Sequence, residues 1–230
     1  MTAIEHAAAG SHGLLAHQFE NLEQQHTSAT LGMWTFLATE VMFFGGLFAS
    51  FAVYRFTDPR AFALACRELI ILAGAINTFV LLTSSLTMAL AVRAGQEGNA
   101  RKQVLFLLAT MLLAVVFIGI KSFEYYKEYE HHLVPGLNFS TAHLAVRGAT
   151  PHVIKQTELF FVFYFFMTGL HAIHMVIGIG VMAWMVRLAR RGRFTRVYHT
   201  PLELTGLYWH FVDLVWVFLF PLLYLIELHK

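Results

Sequence analysis

Long apolar runs separated by polar stretches dominate the chain after its N-terminal region. Each run has about the 20 residues that an α-helix needs to cross a membrane. The five runs cover residues 31–54, 69–92, 103–125, 158–186 and 203–228. The pattern predicts an all-α fold, a polytopic membrane bundle with five transmembrane helices that forms one domain over residues 31–230. Residues 1–30 are polar and His-rich, and we expect a tail or a surface helix there.

The composition agrees with a membrane protein. Of the residues, 57% are hydrophobic and only 13% are charged, and the mean hydropathy is +0.60. The hydrophobic fraction is higher, and the charged fraction lower, than in typical soluble domains. The single cysteine, Cys66, excludes an intrachain disulfide and a cysteine metal cluster, and we interpret it as a small apolar filler near a helix start. No basic segment precedes a short apolar one, so no cleaved signal peptide is predicted.

Basic residues concentrate in the loop before the last span. The run consists of Arg187, Arg190, Arg191, Arg193 and Arg196. Cytoplasmic flanks of membrane helices carry an excess of Lys and Arg, and with five spans this loop lies on the same side as the N-terminus. We therefore expect a cytoplasmic N-terminus and an external C-terminus. Next to a membrane helix, Arg187, Arg190, Arg191 and Arg193 are candidate lipid-headgroup ligands rather than a nucleic-acid patch.

The last span carries a histidine and an aspartate inside an apolar run. His210 and Asp213 are three residues apart, which places them on one helix face. Ionisable side chains at membrane depth are costly, so they usually face the protein interior. The other polar residues within predicted spans are Glu40, Asn77, His171 and His174.

Three interpretations of this polar set compete. A metal or haem site would use His171 and His174 with Glu40 or His210, but the ligand set is thin, and Glu128-x-x-His131, which resembles a di-iron fragment, occurs only once. A proton or ion relay would need a chain of carboxylates that the spans do not supply. In the structural interpretation, histidines and carboxylates pair across helices and fix their packing. This is the most common role of such residues, and we favour it. It predicts no catalytic residue and no metal ligand in this chain.

The polar residues stand in motifs that resemble subunit III of the haem–copper terminal oxidases. The similar segments are Trp34-x-x-Leu37-x-x-Glu40-Val41-Met42-Phe43-Phe44, Ile76-Asn77-Thr78, Glu124-Tyr125-Tyr126, Thr168-Gly169-Leu170-His171-x-x-His174, the spacing from His199 through Glu203 to His210, and Tyr208-Trp209-His210-Phe211-Val212-Asp213. Their combination in order over residues 31–228 is specific, whereas any one segment alone is not.

The resemblance implies a non-catalytic subunit of an oxidase that reduces oxygen to water and translocates protons. Haem and copper would be held by subunit I, with further copper in subunit II of a cytochrome c oxidase, and none by this chain. The implied role is support of assembly, stability and sustained proton uptake. The family's intramembrane glutamate corresponds to Glu40, its paired histidines to His171 and His174, and the glutamate ending its middle helix to Glu124. The implied partners are subunit I, subunit II, other membrane subunits and membrane lipids, in a bacterial plasma membrane.

The chain departs from many family members in helix number. Many have seven spans, and the two that this chain lacks would be N-terminal and would form one wall of a lipid-binding cleft. A five-span subunit III occurs in both cytochrome c and quinol oxidases, so the electron donor stays open. An accessory protein of nitric oxide reduction and a stand-alone haem or ion-translocating protein are further alternatives.

Overall fold

The computed structural model describes residues 17–136, 139, 150–194 and 198–225. Its elements are α1 (Leu22–Thr57), α2 (Pro59–Cys66), α3 (Ile71–Gln96), α4 (Ala100–Glu130), α5 (Pro151–Arg190), α6 (Thr200–Phe220) and a terminal π-helical turn (Pro221–Leu225). Five segments are long and apolar enough to span a membrane, namely α1, α3, α4, α5, and α6 with its turn. The all-α prediction with five spanning helices is confirmed for this described part of the chain. Arg196 lies outside it.

The long helices begin and end at residues suited to those positions. The Asn99 side chain accepts a hydrogen bond from the Lys102 amide at the start of α4, which satisfies one of the free amides of the first turn. Helix α5 ends in a Schellman motif, in which the Arg193 amide donates to the Leu188 carbonyl and Gly192 has a φ of +67°. Glycine adopts this left-handed conformation without a steric penalty. Local sequence therefore sets these boundaries.

Helix α2 lies between the first two predicted spans, in the segment that the apolar runs leave open at residues 55–68. Pro59 occupies its first turn, where a missing amide hydrogen costs nothing. The helix buries Phe62 and Ala65 against α5. Cys66 lies at the end of α2 rather than near a helix start, and its thiol donates to the Leu223 carbonyl at 3.2 Å. This short helix therefore connects the loop after α1 to the terminal turn.

Helices α3, α4, α5 and α6 form a closed ring in which each packs against the next and α6 returns to α3. Their buried positions repeat at alternating spacings of three and four residues. On α4 this stripe consists of Gln103, Leu107, Thr110, Ala114, Phe117, Lys121, Glu124 and Glu128. Such spacing is typical of left-handed bundles with crossing angles near +20°. The ring surrounds a single core, and residues on these stripes face it.

Helix α1 lies outside the ring, against α5 and α6. It buries only Leu37, Phe44 and Phe51, which recur every seventh residue and form a narrow seam. Its other faces expose large apolar side chains, as expected for contact with lipid or another membrane subunit. Asn21 caps α1, so the helix is continuous across residue 30, the predicted boundary between tail and membrane domain.

Candidate functional site

The predicted polar residues divide between the α1 seam and the interior of the ring. Glu40 of α1 faces His174 of α5 across the seam, with 3.3 Å between Glu40 Oε2 and His174 Nε2. His174 Nδ1 lies 2.8 Å from the Leu170 carbonyl, which can only accept a hydrogen bond. Nδ1 therefore carries a hydrogen, and a bond between Nε2 and Glu40 requires one further proton shared by the pair. This half-buried contact joins the peripheral helix to the ring.

His171 and His174 diverge, although their spacing predicts one shared face. The His171 ring is buried among aromatic side chains, with its centroid 5.5 Å from that of Phe117 and 5.2 Å from that of Trp216. Neither of its ring nitrogens has a hydrogen-bond partner in the part of the chain that the structure describes. One side of α5 faces the interior of the ring and another side packs against α1. Residues three positions apart on α5 can therefore face different neighbours. The two histidines do not converge as a ligand pair.

Polar contacts at residues 208–216 connect α6 to its neighbours. His210 Nδ1 lies 2.7 Å from the Ser85 hydroxyl of α3. The indole nitrogens of Trp209 and Trp216 donate to Ser84 and Thr78, each at 3.1 Å. The Tyr208 hydroxyl donates to the His174 carbonyl at 3.0 Å. These bonds satisfy the polar tips of large buried aromatic residues and fix the rotation of α6.

Asp213 and Asn77 are buried on the facing stripes of α6 and α3. Among the described residues, neither oxygen of Asp213 and neither side-chain amide atom of Asn77 has a hydrogen-bond partner. The expected pairing of Asp213 with a histidine is therefore not observed. His210 lies within hydrogen-bond distance of Ser85 instead.

Ser85→Ala and His210→Ala should each weaken the α3–α6 contact by about 1 kcal/mol, because each removes the same hydrogen bond. The double variant should lose little more than either single variant, since the bond can be lost only once. The thermal denaturation midpoint of this subunit in the purified complex measures the effect. Fully additive losses would contradict the assigned bond.

Glu203 lies at the opposite end of the bundle from the terminal turn and joins three helices. Its Oε1 accepts from Gln96 Nε2 of α3 at 2.6 Å and lies 3.2 Å from His199 Nε2. Its Oε2 lies 4.0 Å from His26 Nε2 of α1.

Among the predicted lipid-binding arginines, Arg187 and Arg191 line a groove of about 200 Å³ with Trp184 and Leu188. Arg190 and Arg193 are exposed close by.

The most extensive polar network is centred on Lys121, which the sequence analysis left unassigned. Lys121 Nζ donates to Glu124 Oε2 at 3.0 Å and to the hydroxyls of Tyr164 and Tyr224, each at 2.7 Å. The Tyr224 hydroxyl donates to Glu124 Oε1 at 2.6 Å. The Lys121 and Glu124 side chains are only 3% and 1% exposed. The network therefore joins α4, α5 and the terminal turn inside the bundle.

A signal for this network exists in the sequence. Lys121, Glu124 and Glu128 continue the three-and-four spacing of Leu107, Thr110, Ala114 and Phe117. A charged residue in register with an apolar stripe faces the core rather than a loop. The helix extends to Glu130, beyond the predicted span end at residue 125.

No group of three or more His, Cys, Asp or Glu side chains within the described ranges stands close enough together to hold a metal ion. Glu40, His174, His171 and His210 are distributed over different contacts, as described above. What the arrangement can do is fix five membrane helices through buried polar bonds.

Comparison with known proteins gives one consistent result. The family model described as cytochrome c oxidase subunit III matches residues 16–227. The chain is 29% identical over 198 residues to a probable quinol oxidase subunit 3 of Staphylococcus haemolyticus, covering 85% of this chain and 88% of the relative. It is also 29% identical over 218 residues to a cytochrome c oxidase subunit 3 of Alkalihalophilus pseudofirmus, covering 94% of each chain.

Proposed function

Because this chain belongs to the cytochrome c oxidase subunit III family, we propose that it stabilises a cytochrome c oxidase as a non-catalytic subunit. It is a subunit III of an aerobic terminal oxidase, a multi-pass membrane protein that associates with other oxidase subunits. The observation that carries the stabilising role is the polar bonding between its helices, above all the network of Lys121 and Glu124. The haems and copper of oxygen reduction belong to subunits I and II in this proposal.

The Alkalihalophilus pseudofirmus relative supports cytochrome c as the electron donor. It is named a cytochrome c oxidase subunit 3, and its alignment covers 94% of this chain. A quinol oxidase is the second candidate, because the staphylococcal relatives carry that name. Both relatives are nearly matched in length by this chain, so a short subunit III is compatible with either enzyme. The donor-binding site would lie in another subunit.

We infer the orientation of the chain in the membrane from the charges at the helix ends. Arg187, Arg190, Arg191 and Arg193 lie at the end of α5, next to the exposed Trp184. We place this end at the cytoplasmic face of a bacterial plasma membrane. Arg187 and Arg191 would contact anionic headgroups there, since their groove combines cationic groups with an interfacial aromatic ring.

Affinity purification through a tag on this chain tests the proposed function. We expect co-purification of a larger membrane subunit with a haem absorption spectrum, bound copper in a second subunit, and oxygen consumption with reduced cytochrome c. Activity with quinol alone and no second-subunit copper would favour the quinol oxidase. Isolation of the chain by itself with stoichiometric haem would contradict the non-catalytic assignment.

Deletion of this chain from the complex should leave initial oxygen consumption close to that of the intact enzyme and shorten the period over which turnover continues. The reason is that the haems and copper are assigned to other subunits in this proposal, whereas this subunit would cover membrane surface of its partners. Oxygen consumption followed from the first seconds to inactivation checks this. Equal lifetimes with and without the chain would contradict the stabilising role.

A further inference from the structure

Glu128 is a buried carboxylate that the helix-packing role does not explain. It lies on α4 one turn beyond Glu124 and is 4% exposed. Among the described residues, neither of its carboxyl oxygens has a hydrogen-bond partner, although the Tyr164 hydroxyl lies near it. A buried polar group without a partner is uncommon in native proteins and calls for a physical reason.

The charges around Glu128 are already balanced without it. Lys121 donates to Glu124, to Tyr164 and to Tyr224. Tyr224 has given its own hydrogen to Glu124, so it accepts from Lys121. Three donated bonds use all three hydrogens of a charged ammonium group. This bonding pattern fits a cationic Lys121.

Glu124 shows the complementary pattern. One of its oxygens accepts from Lys121 and the other accepts from Tyr224. A carboxyl that only accepts on both oxygens is the ionised form. Lys121 and Glu124 thus form a neutral ion pair with its hydrogen bonds satisfied.

The ionisable groups that act electrostatically on Glu128 come from three elements. They are Lys121, Glu124 and Tyr125 of α4, Tyr164 of α5 and Tyr224 of the terminal turn. Lys121 is the only cation among these described groups, and Glu124 already neutralises it. An ionised Glu128 would give the cluster a net negative charge with almost no contact with water, which is energetically costly.

We propose that Glu128 is a proton-binding site, in which the carboxyl group holds one exchangeable proton while Lys121 and Glu124 remain an ion pair. Glu128 lies near the exposed end of α4, where Tyr129 and Glu130 are exposed. The bound proton is therefore close to the aqueous phase at the membrane face opposite the arginine-rich loop. The proposal goes beyond the packing role and does not depend on the identity of the electron donor.

Infrared spectroscopy of the full-length chain, labelled with ¹³C-glutamate, tests the proposal. The label separates glutamate bands from those of Asp213. The wild-type spectrum should contain the C=O stretch of a protonated glutamate in apolar surroundings, and this band should shift in D₂O. In Glu128→Gln the band should be lost, while in the control Glu130→Gln, on the same helix but exposed, it should be unchanged.

A loss of carboxylate stretching instead of C=O stretching in Glu128→Gln would overturn the proposal, because Glu128 would then be ionised. Glutamine is a neutral replacement of nearly the same shape as the protonated acid, so this variant should fold and assemble with wild-type yield. Failure of Glu128→Gln to fold would therefore also count against the proposal.

Glu124→Gln provides a second, independent test. It removes the counter-ion of Lys121, and the nearest replacement is Glu128 one turn away. Glu128 should then release its proton and pair with Lys121, so the protonated band attributed to Glu128 should disappear although Glu128 is still present. Persistence of that band in Glu124→Gln would overturn the charge balance on which the proposal rests.

Discussion

Lys121→Met is expected to destabilise this subunit more than any other single change on α4. Methionine retains much of the side-chain volume but removes the ammonium, which leaves the Glu124 carboxylate buried without its cation. Breaking a buried ion pair by removing one partner typically costs about 3–5 kcal/mol. The variant also removes the bonds that Lys121 donates to Tyr164 and Tyr224, so α4 loses its connection to α5 and the terminal turn. The thermal denaturation midpoint of the subunit within the purified complex measures the loss.

Arg93→Met is the matched control. Arg93 and Glu97 form an ion pair with the same 3.0 Å distance, but their side chains are 75% and 51% exposed. Exposed pairs contribute only about 0–1 kcal/mol, so this variant should behave almost as wild type. The double variant Lys121→Met with Glu124→Gln should recover part of the stability, because it removes both charges. Equal effects of the Lys121 and Arg93 variants, or no recovery in the double variant, would contradict the assigned network.

Gly178→Ala is expected to have the second largest effect, because α5 packs tightly against Trp209 of α6 at this position. A Cβ atom on Gly178 would lie 2.7 Å from Trp209 Cζ3 and 2.9 Å from Trp209 Cε3. The Trp209 ring is fully buried and its indole nitrogen is bonded to Ser84, so it cannot move aside freely. Overpacking of a core in this way typically costs about 1–3 kcal/mol. We expect a lower denaturation midpoint and a lower yield of assembled complex.

The control for this prediction lies two residues along the same helix. A Cβ atom on Gly180 would have no atom within 4 Å. Gly180→Ala should therefore leave stability unchanged or raise it by about 0.5–1 kcal/mol through the better helix propensity of alanine. If Gly178→Ala were as stable as Gly180→Ala, the close α5–α6 contact would be refuted. The Trp209→Phe exchange should in turn relieve part of the defect in Gly178→Ala, since the smaller ring frees space at Gly178.

The sequence predicted where the candidate residues lie but not which residues they contact. The presence of Glu40, His171, His174, His210 and Asp213 at membrane depth followed from their places within apolar runs. Their partners did not follow. Ser85 bonds His210 although 125 positions separate the two residues, and no sequence spacing encodes such a contact. Likewise, the three-residue interval between His171 and His174 predicts one shared helix face. In the structure, His171 faces the interior of the ring and His174 faces α1.

The sequence by itself determined the number of spanning helices, the family and the presence of costly polar residues inside the membrane. These properties depend on hydropathy summed over about 20 consecutive residues and on the order of motifs, both of which are local. Only the tertiary structure decided that α1 lies outside a four-helix ring, that α2 reaches α5, and that Lys121 and Glu124 pair with two tyrosines from other elements. The physical reason is that a helix can rotate about its axis without changing its hydropathy. Its rotation is fixed by close packing with residues far away in the chain, such as Gly178 against Trp209.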